Sequence, residues 1–477
     1  MLRVLRATRG RMLNEVHNIH QTIETLAPKY QRPGPRYTSY PTAPHMRSDF
    51  EFERFEAVCT GDHGHESGSL SLYVHIPFCR SVCYYCACNK VVTRKTEVGA
   101  EYLLSLEREL ERYNGWGLRN REISQLHWGG GTPTFLSHSE LTQLMHLLAR
   151  HFKLSNATDR EYSVEIDPRT VDSKSIALLR GLGFNRLSLG IQDFNPMVQQ
   201  AINRVQPFEP VRQLTQTIRD HNFKSLSFDL IYGLPHQSEQ TMAETLERVI
   251  ELSPDRIACY NYAHLPNRFP SQRAIDRLTL PTAAQRLRLQ MMIDRTLEDS
   301  GYELLGLDHY VKRSDELSLA RKLGGLQRNF QGYSLKTTED MLGLGHSAIS
   351  QIGRFIVQNQ RSLDTYVETV KHRERPWERG LELAKNDLIR RDIIMDICCK
   401  LGFSPDEVCA RYGESARYYF SEELAALQTF VTDGLLLHDK GKYEVTGLGR
   451  HFLRNICMTF DAWLDRTPVD IKYSKTV

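Results

Sequence analysis

The stretch FCRSVCYYCACNK, residues 78–90, places four of the chain's ten cysteines within ten positions: Cys79, Cys83, Cys86 and Cys88. Thiols this close together could ligate zinc, form a redox pair or hold an iron–sulfur cluster. Structural zinc usually takes two well-separated pairs of ligands, and no second pair with matching spacing occurs in the sequence. Three thiolates in one loop can instead bind three irons of a cubane cluster and leave the fourth iron open to an outside ligand.

The spacing leaves two points open. It does not favour a redox pair of Cys83 with Cys86 over one of Cys86 with Cys88. It also does not say which thiol a cluster would leave out, because Cys86 and Cys88 both lie near the same end of the loop. The choice has a chemical consequence, since a cubane with four protein ligands would have no vacant iron.

The remaining cysteines do not form a disulfide framework. They are scattered and mostly lie in apolar segments: Cys59, Cys259, Cys398, Cys399, Cys409 and Cys457. Free cysteines in such segments act as small core residues in a reducing compartment. We therefore expect a cytoplasmic protein.

Length and charge exclude several classes of protein. A chain of 477 residues is too long for one ordinary core, so we expect one large domain with one or two smaller ones attached. The 61 basic and 58 acidic residues leave a net charge of +3 with no strong basic stripe, which argues against a nucleic-acid partner. No run approaches the roughly 18 apolar residues that a membrane span needs. The arginine-rich start, residues 1–14, predicts a disordered or loosely docked leader.

The elements that must position the cysteines follow a regular rhythm between about residues 70 and 270. Short β-rich runs alternate with amphipathic helical patterns such as EYLLSLERELERY and SELTQLMHLLARHF. The predicted strands are SLYVHI (71–76), ISQLHW (123–128), YSVEI (162–166), NRLSLGIQ (185–192), SLSFDLIYG (225–233) and RIACYNY (256–262). Six such alternations predict a parallel sheet covered by helices. Because parallel strands are usually buried on both faces, we expect both faces to be apolar.

Candidate site residues follow the ends of these predicted strands. The cysteine loop comes directly after the first strand, and Gly129, Gly130 and Gly131 follow the second. Glycines there let backbone groups approach a small cofactor, although a tight turn before a proline is the plainer interpretation. Glu165 ends the third strand, where a buried carboxylate needs a partner such as a ligand amine or ribose. Polar residues at the ends of parallel strands, such as Gln192 and Asp229, would face a barrel mouth.

The cysteine loop resembles that of a known superfamily. C-x3-C-x2-C with an aromatic residue, Tyr85, directly before the last cysteine is the signature of the radical S-adenosylmethionine enzymes. By this resemblance Cys79, Cys83 and Cys86 are the cluster ligands. Cys88 is then close to the site but free, as a packing residue or as a weak donor near the substrate.

A closer likeness covers ten motifs in matching order from about residue 30 to the C-terminus. They are PGPRYTSYPT (33–42), YVHIPFC (73–79), CACNK (86–90), LHWGGGTPT (126–134), EIDPR (165–169), GFNRLSLGIQDFN (183–195), DLIYGLP (229–235), NYAHLP (261–266), RNFQGY (328–333) and RNICMTFD (454–461). Together they resemble the oxygen-independent coproporphyrinogen III oxidases. The chain differs from that pattern at Ala87, where a glycine is familiar, and the extra methyl group could constrain the loop.

The resemblance implies a cofactor set and a reaction. A 4Fe-4S cluster binds S-adenosylmethionine at its open iron and cleaves it to a 5'-deoxyadenosyl radical, which takes a hydrogen from a propionate of coproporphyrinogen III. Loss of CO2 and of one electron leaves a vinyl group, and two rounds give protoporphyrinogen IX in heme biosynthesis. The family also implies an electron donor such as a flavodoxin-type reductant and an electron acceptor that the sequence does not identify. We expect a monomer.

The same resemblance assigns residues to two molecules of S-adenosylmethionine. The first molecule would contact Tyr73, Gly130, Glu165 and Ile349. The second would contact Tyr85, Gly131, Thr132, Gln192, Arg204, Asp229 and Ala263. On sequence alone Tyr73, Ala263 and Ile349 would be core residues, as would His75 on the first strand.

The substrate carries four carboxylates, so arginines should surround it. Arg36 is the first candidate, and we place it with Cys88 as a candidate catalytic residue. It lies in PGPRYTSYPT, which is either a linker or an arm that folds over the site.

The predicted fold is α/β, a partial (βα)6 TIM-like barrel with a mostly helical, winged-helix-like C-terminal domain and an N-terminal arm. Residues 1–69 form the leader and the substrate-covering arm, 70–375 the radical S-adenosylmethionine barrel with its extension, and 376–477 the helical C-terminal domain. The hairpin pattern GLLLHDKGKYEVT (434–446) suggests the winged helix. It lacks a basic recognition face, so packing against the substrate domain is favoured over DNA binding.

Three other functions remain as alternatives. A heme-trafficking chaperone shares the cysteine triplet and barrel but, in that family, lacks the counterparts of Cys88 and of the arm. A radical enzyme that acts on RNA should show an added basic domain, and none is visible. The anaerobic heme-opening radical methylases are closer in chemistry, and a substrate assay separates them.

Overall fold

The computed structural model describes residues 22–61, 68–335, 340–466 and 473–476, and its strands and helices follow the predicted alternation. The strands are β1 (Leu70–Ile76), β2 (Phe78–Cys79), β3 (Val91–Val92), β4 (Glu122–Gly130), β5 (Lys153–Leu154), β6 (Glu161–Ile166), β7 (Arg186–Gln192), β8 (Ser225–Tyr232), β9 (Arg256–Asn261), β10 (Tyr302–Gly306), β11 (His309–Lys312), β12 (Gln327–Asn329), β13 (Gly332–Ser334), β14 (Met341–Leu344), β15 (Ile349–Ile352), β16 (Phe355–Asn359), β17 (Trp377–Glu382), β18 (Gly402–Phe403), β19 (Leu436–Asp439) and β20 (Lys442–Val445).

The α-helices are α1 (22–30), α2 (Phe52–Thr60), α3 (Val98–Arg112), α4 (His138–His151), α5 (Ser173–Gly181), α6 (Pro196–Ala201), α7 (Phe208–Asp220), α8 (Glu239–Leu252), α9 (Ala283–Asp299), α10 (Glu316–Lys322), α11 (Leu363–Lys371), α12 (Lys385–Lys400), α13 (Pro405–Arg411), α14 (Ala416–Tyr419), α15 (Ser421–Thr432) and α16 (Leu453–Met458). Short 3-10 turns occur at Ala43–His45, Gly117–Asn120, Pro133–Phe135, Pro168–Thr170, Pro270–Ala274, Arg277–Thr279, Gly449–Phe452 and Leu464–Arg466.

Six parallel strands form the centre of the main sheet in the order β1-β4-β6-β7-β8-β9. They lie where the sequence predicts them, and the partial (βα)6 barrel is confirmed. Each crossover carries at least one helix, as parallel neighbours require. The C-terminal ends of these strands therefore meet at one edge, which is the barrel mouth.

Further strands extend both sides of this sheet. β14 lies parallel beside β1, and β15, β16 and β17 follow it in antiparallel order. On the other side β11 and β10 continue antiparallel from β9. The last strand, β17, begins beyond the boundary predicted between residues 375 and 376, because its ladder with β16 holds it in the barrel sheet.

The two faces of the parallel strands differ in polarity. Outward residues such as Leu72 and Trp128 are fully buried under the helices. Inward residues alternate with them and are polar at several levels, as at His127, Ser163 and Asp229, which line a cavity. The expectation that both faces are apolar is therefore wrong for the inner face. Successive strand residues point to opposite faces, so these side chains enclose a polar lumen instead of a filled core.

The helices begin where the sequence supplies capping residues. Ser137 caps α4 in a reciprocal capping box with Glu140, and Ser238 caps α8 in the same way with Thr241. Each cap satisfies backbone N–H groups that would otherwise lack a partner at the helix start. These caps fix the points at which the chain turns from the barrel mouth into each outer helix.

The C-terminal domain contains helices α12 to α16 and a small antiparallel sheet in the order β18-β20-β19. This is the winged-helix-like arrangement that the hairpin pattern predicts. The N-terminal helix α1 packs against it, with the ring of Tyr30 5.3 Å from that of Phe430. Most of the predicted leader, residues 1–21, lies outside the described residues.

The six scattered cysteines are free and buried, so the expectation that they serve as core residues is confirmed. Within the described ranges, no helix combines the length and the apolar character needed to cross a membrane.

Candidate active site

The cysteine loop lies at the barrel mouth, held between two short strands. Cys79 ends β2, which pairs in parallel with β3 on the far side of the loop. Cys79 Sγ lies 3.5 Å from Thr132 Oγ1, at the end of β4. Cys83 is buried, and its Sγ accepts hydrogen bonds from Arg204 Nη1 at 3.5 Å and Arg169 Nη2 at 3.7 Å. Two guanidinium groups therefore face one sulfur of the loop.

The three motif cysteines suit a cluster better than a single ion. Among the described residues, no group of three His, Cys, Asp or Glu side chains is spaced to hold one metal ion. A cubane spreads its three thiolates over three irons, farther apart than the ligands of one ion. The donor set of Cys79, Cys83 and Cys86 on one loop, with cationic neighbours for a negatively charged centre, therefore fits a 4Fe-4S cluster.

Cys88 differs from the other loop thiols in its surroundings. Its side chain shares a hydrogen bond with Cys86, which lowers the pKa of Cys86 to about 6 and raises that of Cys88 well above its ordinary value. The negative charge of nearby Glu165 adds to the rise at Cys88. Cys88 is exposed at the mouth, whereas Cys83 is buried.

At the end of β4 the glycine run brings its backbone close to neighbouring groups at the mouth. Gly130 has φ of +115°, and a Cβ there would lie 2.7 Å from the His75 ring. A Cβ on Gly131 would lie 2.5 Å from the carbonyl oxygen of Pro77. Both positions require glycine for steric reasons, and Gly130 also for its backbone conformation.

Glu165 projects from the end of β6 into the mouth beside this run. Its Oε2 accepts a hydrogen bond from the Gly130 N–H at 3.2 Å, and its Oε1 lies 3.2 Å from His127 Nε2. Burial raises the pKa of Glu165, but the His127 and Gly130 contacts outweigh this and hold the pKa below its ordinary value. Since 45% of the side chain remains open to the cavity, the carboxylate can bind a cationic ligand.

Asp229 faces the same lumen from the middle of β8, so the prediction that it lies at a strand end is wrong. Its Oδ1 accepts a hydrogen bond from the Ser188 hydroxyl at 3.1 Å. Burial, and then the charge of Glu165, raise the pKa of Asp229 to about 7. The two carboxylates of the mouth thus differ in protonation at neutral pH.

Arg204 connects the loop to the barrel. Its Nη1 lies 3.1 Å from Asp167 Oδ2, and its Nη2 donates to the Gly190 carbonyl at 2.7 Å. Gln192 follows on β7 with φ of +66°, which turns the chain at the strand end. The buried ion pair fixes the position of the guanidinium next to Cys83.

Tyr73 and His75 occupy the inner face of β1. Tyr73 Oη lies 3.0 Å from His75 Nδ1, and His75 Nε2 lies 3.0 Å from the carbonyl oxygen of Asn89 in the cysteine loop. Burial lowers the pKa of His75 to about 4, so the ring is neutral at neutral pH. His75 therefore links the first strand to the loop, while Tyr73 stacks on His127.

Tyr85 and Ala263 are brought together by one side chain. The Gln272 amide donates to the Tyr85 carbonyl at 3.0 Å and to the Ala263 carbonyl at 3.2 Å. Ile349 lies elsewhere, on β15, where it pairs with Gln358 two strands away from β1. The structure therefore brings Tyr85 and Ala263 together but does not bring Ile349 to them.

Arg36 lies beside the end of β9. Its Nη2 donates to the Asn261 carbonyl at 2.6 Å, and its guanidinium lies 5.8 Å from the centre of the Tyr260 ring. Within the described ranges, its one carboxylate contact is with Asp308, whose Oδ2 lies 3.9 Å from Arg36 Nη1.

Three residues of the site were not singled out from the sequence. His127 and Ser188 look like core positions in their strands. The alternation of side chains along each strand, however, puts them on the same inner face as Glu165 and Asp229, and this could have identified them. Asp167 stands in the EIDPR motif, but its ion pair with Arg204 joins residues 37 positions apart.

The lumen below the mouth is a cavity of about 180 Å³. It is lined by Glu165 and Asp229 near the mouth and by Tyr260, His309 and Tyr333 farther along.

Comparisons with known proteins agree with this geometry. Residues 73–249, which include the cysteine loop and the strands up to α8, match the model of the radical SAM superfamily. The oxygen-independent coproporphyrinogen III oxidase of Salmonella typhimurium is 44% identical over 454 residues, which cover 95% of this chain and 98% of that protein. That of Escherichia coli K12 is 42% identical over 455 residues, with the same coverage of both chains.

A solved structure extends the likeness to the fold. The coproporphyrinogen III oxidase of Escherichia coli, a radical SAM enzyme, superposes with a TM-score of 0.85 at 42% identity, over 90% of this chain and 98% of that one. Identity at this level over nearly the full length, together with the cysteine loop at the barrel mouth, shows the family. The chain belongs to the oxygen-independent coproporphyrinogen III oxidases of the radical SAM superfamily.

Proposed function

We propose that the protein catalyses the oxygen-independent oxidative decarboxylation of coproporphyrinogen III to protoporphyrinogen IX in heme biosynthesis. The observation that carries this proposal is the likeness to oxidases of that name over 95% of the chain. It is a radical SAM oxidoreductase, with a 4Fe-4S cluster and S-adenosylmethionine as cofactors.

We assign the cluster to Cys79, Cys83 and Cys86 and leave Cys88 free. The hydrogen bonds from Arg169 and Arg204 to Cys83 support a negatively charged centre at this loop. When bound, the cluster and S-adenosylmethionine supply a 5'-deoxyadenosyl radical at the barrel mouth. The chain's own residues hold, orient and shield these cofactors.

We propose that the protein binds two molecules of S-adenosylmethionine. The first would meet Tyr73, Gly130, Glu165 and Ile349, and the second Tyr85, Gly131, Thr132, Gln192, Arg204, Asp229 and Ala263. The ionised, half-open carboxylate of Glu165 supports its contact with the amino group or ribose of the first molecule. The absence of side chains at Gly130 and Gly131 leaves their backbone groups accessible to a ligand.

The substrate would lie in the lumen, with a propionate directed to the mouth. Removal of one hydrogen atom and one electron from the propionate breaks the bond to the carboxylate and releases CO2, leaving a vinyl group. The electron passes to an acceptor outside the chain. Cys88, exposed beside Glu165, is the proposed weak donor near the reacting group, and Arg36 the proposed propionate contact of the arm.

The proposed donor is a flavodoxin-type reductant. Exposed Arg94 and Lys95 follow β3, next to the cysteine loop, and would attract an acidic carrier. We also propose that the protein is a monomer in the cytoplasm. Its free, buried cysteines support a reducing compartment.

Anaerobic turnover tests the function. The reconstituted protein is incubated with S-adenosylmethionine, a chemical reductant, an electron acceptor and coproporphyrinogen III, and the products are measured by mass. We expect loss of two CO2 per porphyrinogen and formation of 5'-deoxyadenosine. Formation of 5'-deoxyadenosine without a decarboxylated tetrapyrrole would overturn the substrate assignment.

A further inference from the structure

The hairpin of β12 and β13 brings an arginine without a carboxylate partner to the lumen. Arg328 lies on β12 opposite Tyr333 on β13, and its guanidinium sits 4.7 Å from the centre of the Tyr333 ring. Its Nε donates to the Tyr37 carbonyl at 3.4 Å, a long hydrogen bond. Its Nη1 is buried and has no hydrogen-bond partner among the described residues.

A desolvated cation without a counter-charge is costly. Other buried arginines of the barrel have carboxylate partners: Arg186 with Glu316, Arg204 with Asp167, and Arg256 with Asp315. Across the residues that the structure describes, no carboxylate comes within ion-pair distance of Arg328. The stacking on Tyr333 offsets part of the cost, since a cation over an aromatic face is attracted to it.

The neighbouring histidine adds no charge beside Arg328. Burial, and then the charges of Arg328 and Arg256, lower the pKa of His309 to about 3. His309 packs against Tyr333 with ring centres 5.2 Å apart. It is neutral at neutral pH and supplies no competing charge.

Arg328 lies next to residues of the lumen but itself lines a neighbouring cavity. It lines a cavity of about 260 Å³ between the arm and α12, and its neighbour Asn329 lines both this cavity and the lumen below Glu165. The stacking partner Tyr333 also lines the lumen. A ligand that fills the lumen from Glu165 to Tyr333 would therefore end beside the Arg328 guanidinium.

We propose that Arg328 anchors a substrate propionate that is not reacting. This rests on the proposed function, which places a macrocycle with four outward carboxylates in the lumen. When one propionate faces the mouth, another on the far side of the ring meets Arg328, whose planar guanidinium suits a carboxylate. The bound carboxylate supplies the counter-charge that the protein lacks and holds the macrocycle in place for hydrogen removal.

The test compares Arg328→Gln, Arg328→Lys and a matched control. Arg411 lines the same second cavity but is paired with Asp392 at 3.2 Å, so Arg411→Gln removes an arginine that already has a carboxylate partner. Because an anchor binds substrate and transition state alike, Arg328→Gln should raise the KM for coproporphyrinogen III roughly 10- to 100-fold with little change in kcat. Arg328→Lys should recover part of the loss, and Arg411→Gln should behave as the unaltered protein.

A second readout is independent of turnover. Coproporphyrin III keeps the four carboxylates, so its fluorescence titration against the same variants should show the same weakening, and coproporphyrin tetramethyl ester should bind all of them alike. Equal affinity of the unaltered protein and Arg328→Gln for coproporphyrin III would overturn the anchor, as would a fall in kcat without a change in KM. If Arg328→Gln does not fold, the affinity of Arg328→Lys for coproporphyrin III is compared with that of the unaltered protein instead. Failure of the unaltered protein to decarboxylate coproporphyrinogen III would instead overturn the proposed function.

Discussion

Two carboxylates at the barrel mouth have opposite electrostatic surroundings. Glu165 has a depressed pKa because the His127 and Gly130 contacts outweigh its burial, whereas the pKa of Asp229 rises to about 7. The ionised Glu165 suits a permanently cationic ligand group, and Asp229 can gain or lose its proton near neutral pH. Neighbouring residues thus give two carboxyl groups of similar chemistry different roles.

At the same scale, ligand choice in the cysteine loop is open to a direct test. We expect Cys79→Ser, Cys83→Ser and Cys86→Ser to lose cluster absorbance and bound iron and sulfide, because each removes one of three thiolates. Cys88→Ser should keep all three signals yet decarboxylate more slowly, which makes it the matched control for ligation. Iron and sulfide analysis after anaerobic reconstitution decides this; a Cys88→Ser protein without a cluster would contradict the ligand assignment.

Individual residues of the site could be predicted only in part. Glu165 was found because it ends a predicted strand, Asp229 through the family resemblance, and the cysteines because their spacing is distinctive. His127 was missed since a lone histidine in an apolar run resembles a core residue. Arg328 stands in a recognised motif, but its lack of a carboxylate partner depends on residues distant in sequence, which no local pattern reveals.

At the scale of elements, the turn after β4 has the tightest steric requirement at the mouth. Gly130→Ala would place a Cβ 2.7 Å from the His75 ring at a φ of +115°. We expect it to lower the melting temperature and weaken S-adenosylmethionine binding by roughly tenfold or more, since a side chain at such a φ costs about 1–3 kcal/mol. Anaerobic equilibrium dialysis and thermal unfolding measure the two effects.

The control is Gly181→Ala in α5, where no atom lies within 4 Å of the added Cβ. Because alanine is favoured over glycine in a helix, this variant should be as stable as the unaltered protein or slightly more so. If Gly130→Ala bound S-adenosylmethionine as tightly as Gly181→Ala, the turn would have no part in cofactor binding.

The elements themselves were more predictable than the site. The six parallel strands were found because β-rich runs alternate with amphipathic helices over 200 residues. The antiparallel strands β14 to β17 were not, since short glycine-containing segments such as MLGLGHSAIS give no clear period. The polar lumen was missed because each strand contains only a few serines and histidines at alternate positions, so each run still looked mostly apolar.

At the scale of the whole molecule, Asp229 links folding stability to pH. Its pKa rises from an ordinary 3.8 to about 7 on folding, so the folded protein binds more protons than the unfolded chain between these values. Its contribution to stability therefore falls as pH rises from about 4 to about 7 and is constant above, with a slope of at most about 1.4 kcal/mol per pH unit. Asp229→Asn should remove this decline.

Urea unfolding of the cofactor-free protein at pH 5 to 8 measures the effect. The free energy of unfolding of Asp229→Asn, relative to the unaltered protein, should increase as pH rises toward 7. The exposed Asp299 provides the control, since Asp299→Asn should follow the unaltered protein at every pH. Parallel curves for Asp229→Asn and the unaltered protein would contradict a raised pKa at this site.

The arm that carries Arg36 is held by the far end of the chain. Arg32 N–H donates to Thr476 Oγ1 across 444 residues, and Arg454 donates to the carbonyl of Pro35 at 2.9 Å. Ribosomes add residues from the N-terminus onward at about 5–20 per second, so the arm cannot dock until the last residues have emerged, many seconds after β9 completes the parallel strands. The cysteine loop and the six parallel strands are thus synthesised before the contacts that hold the arm can form.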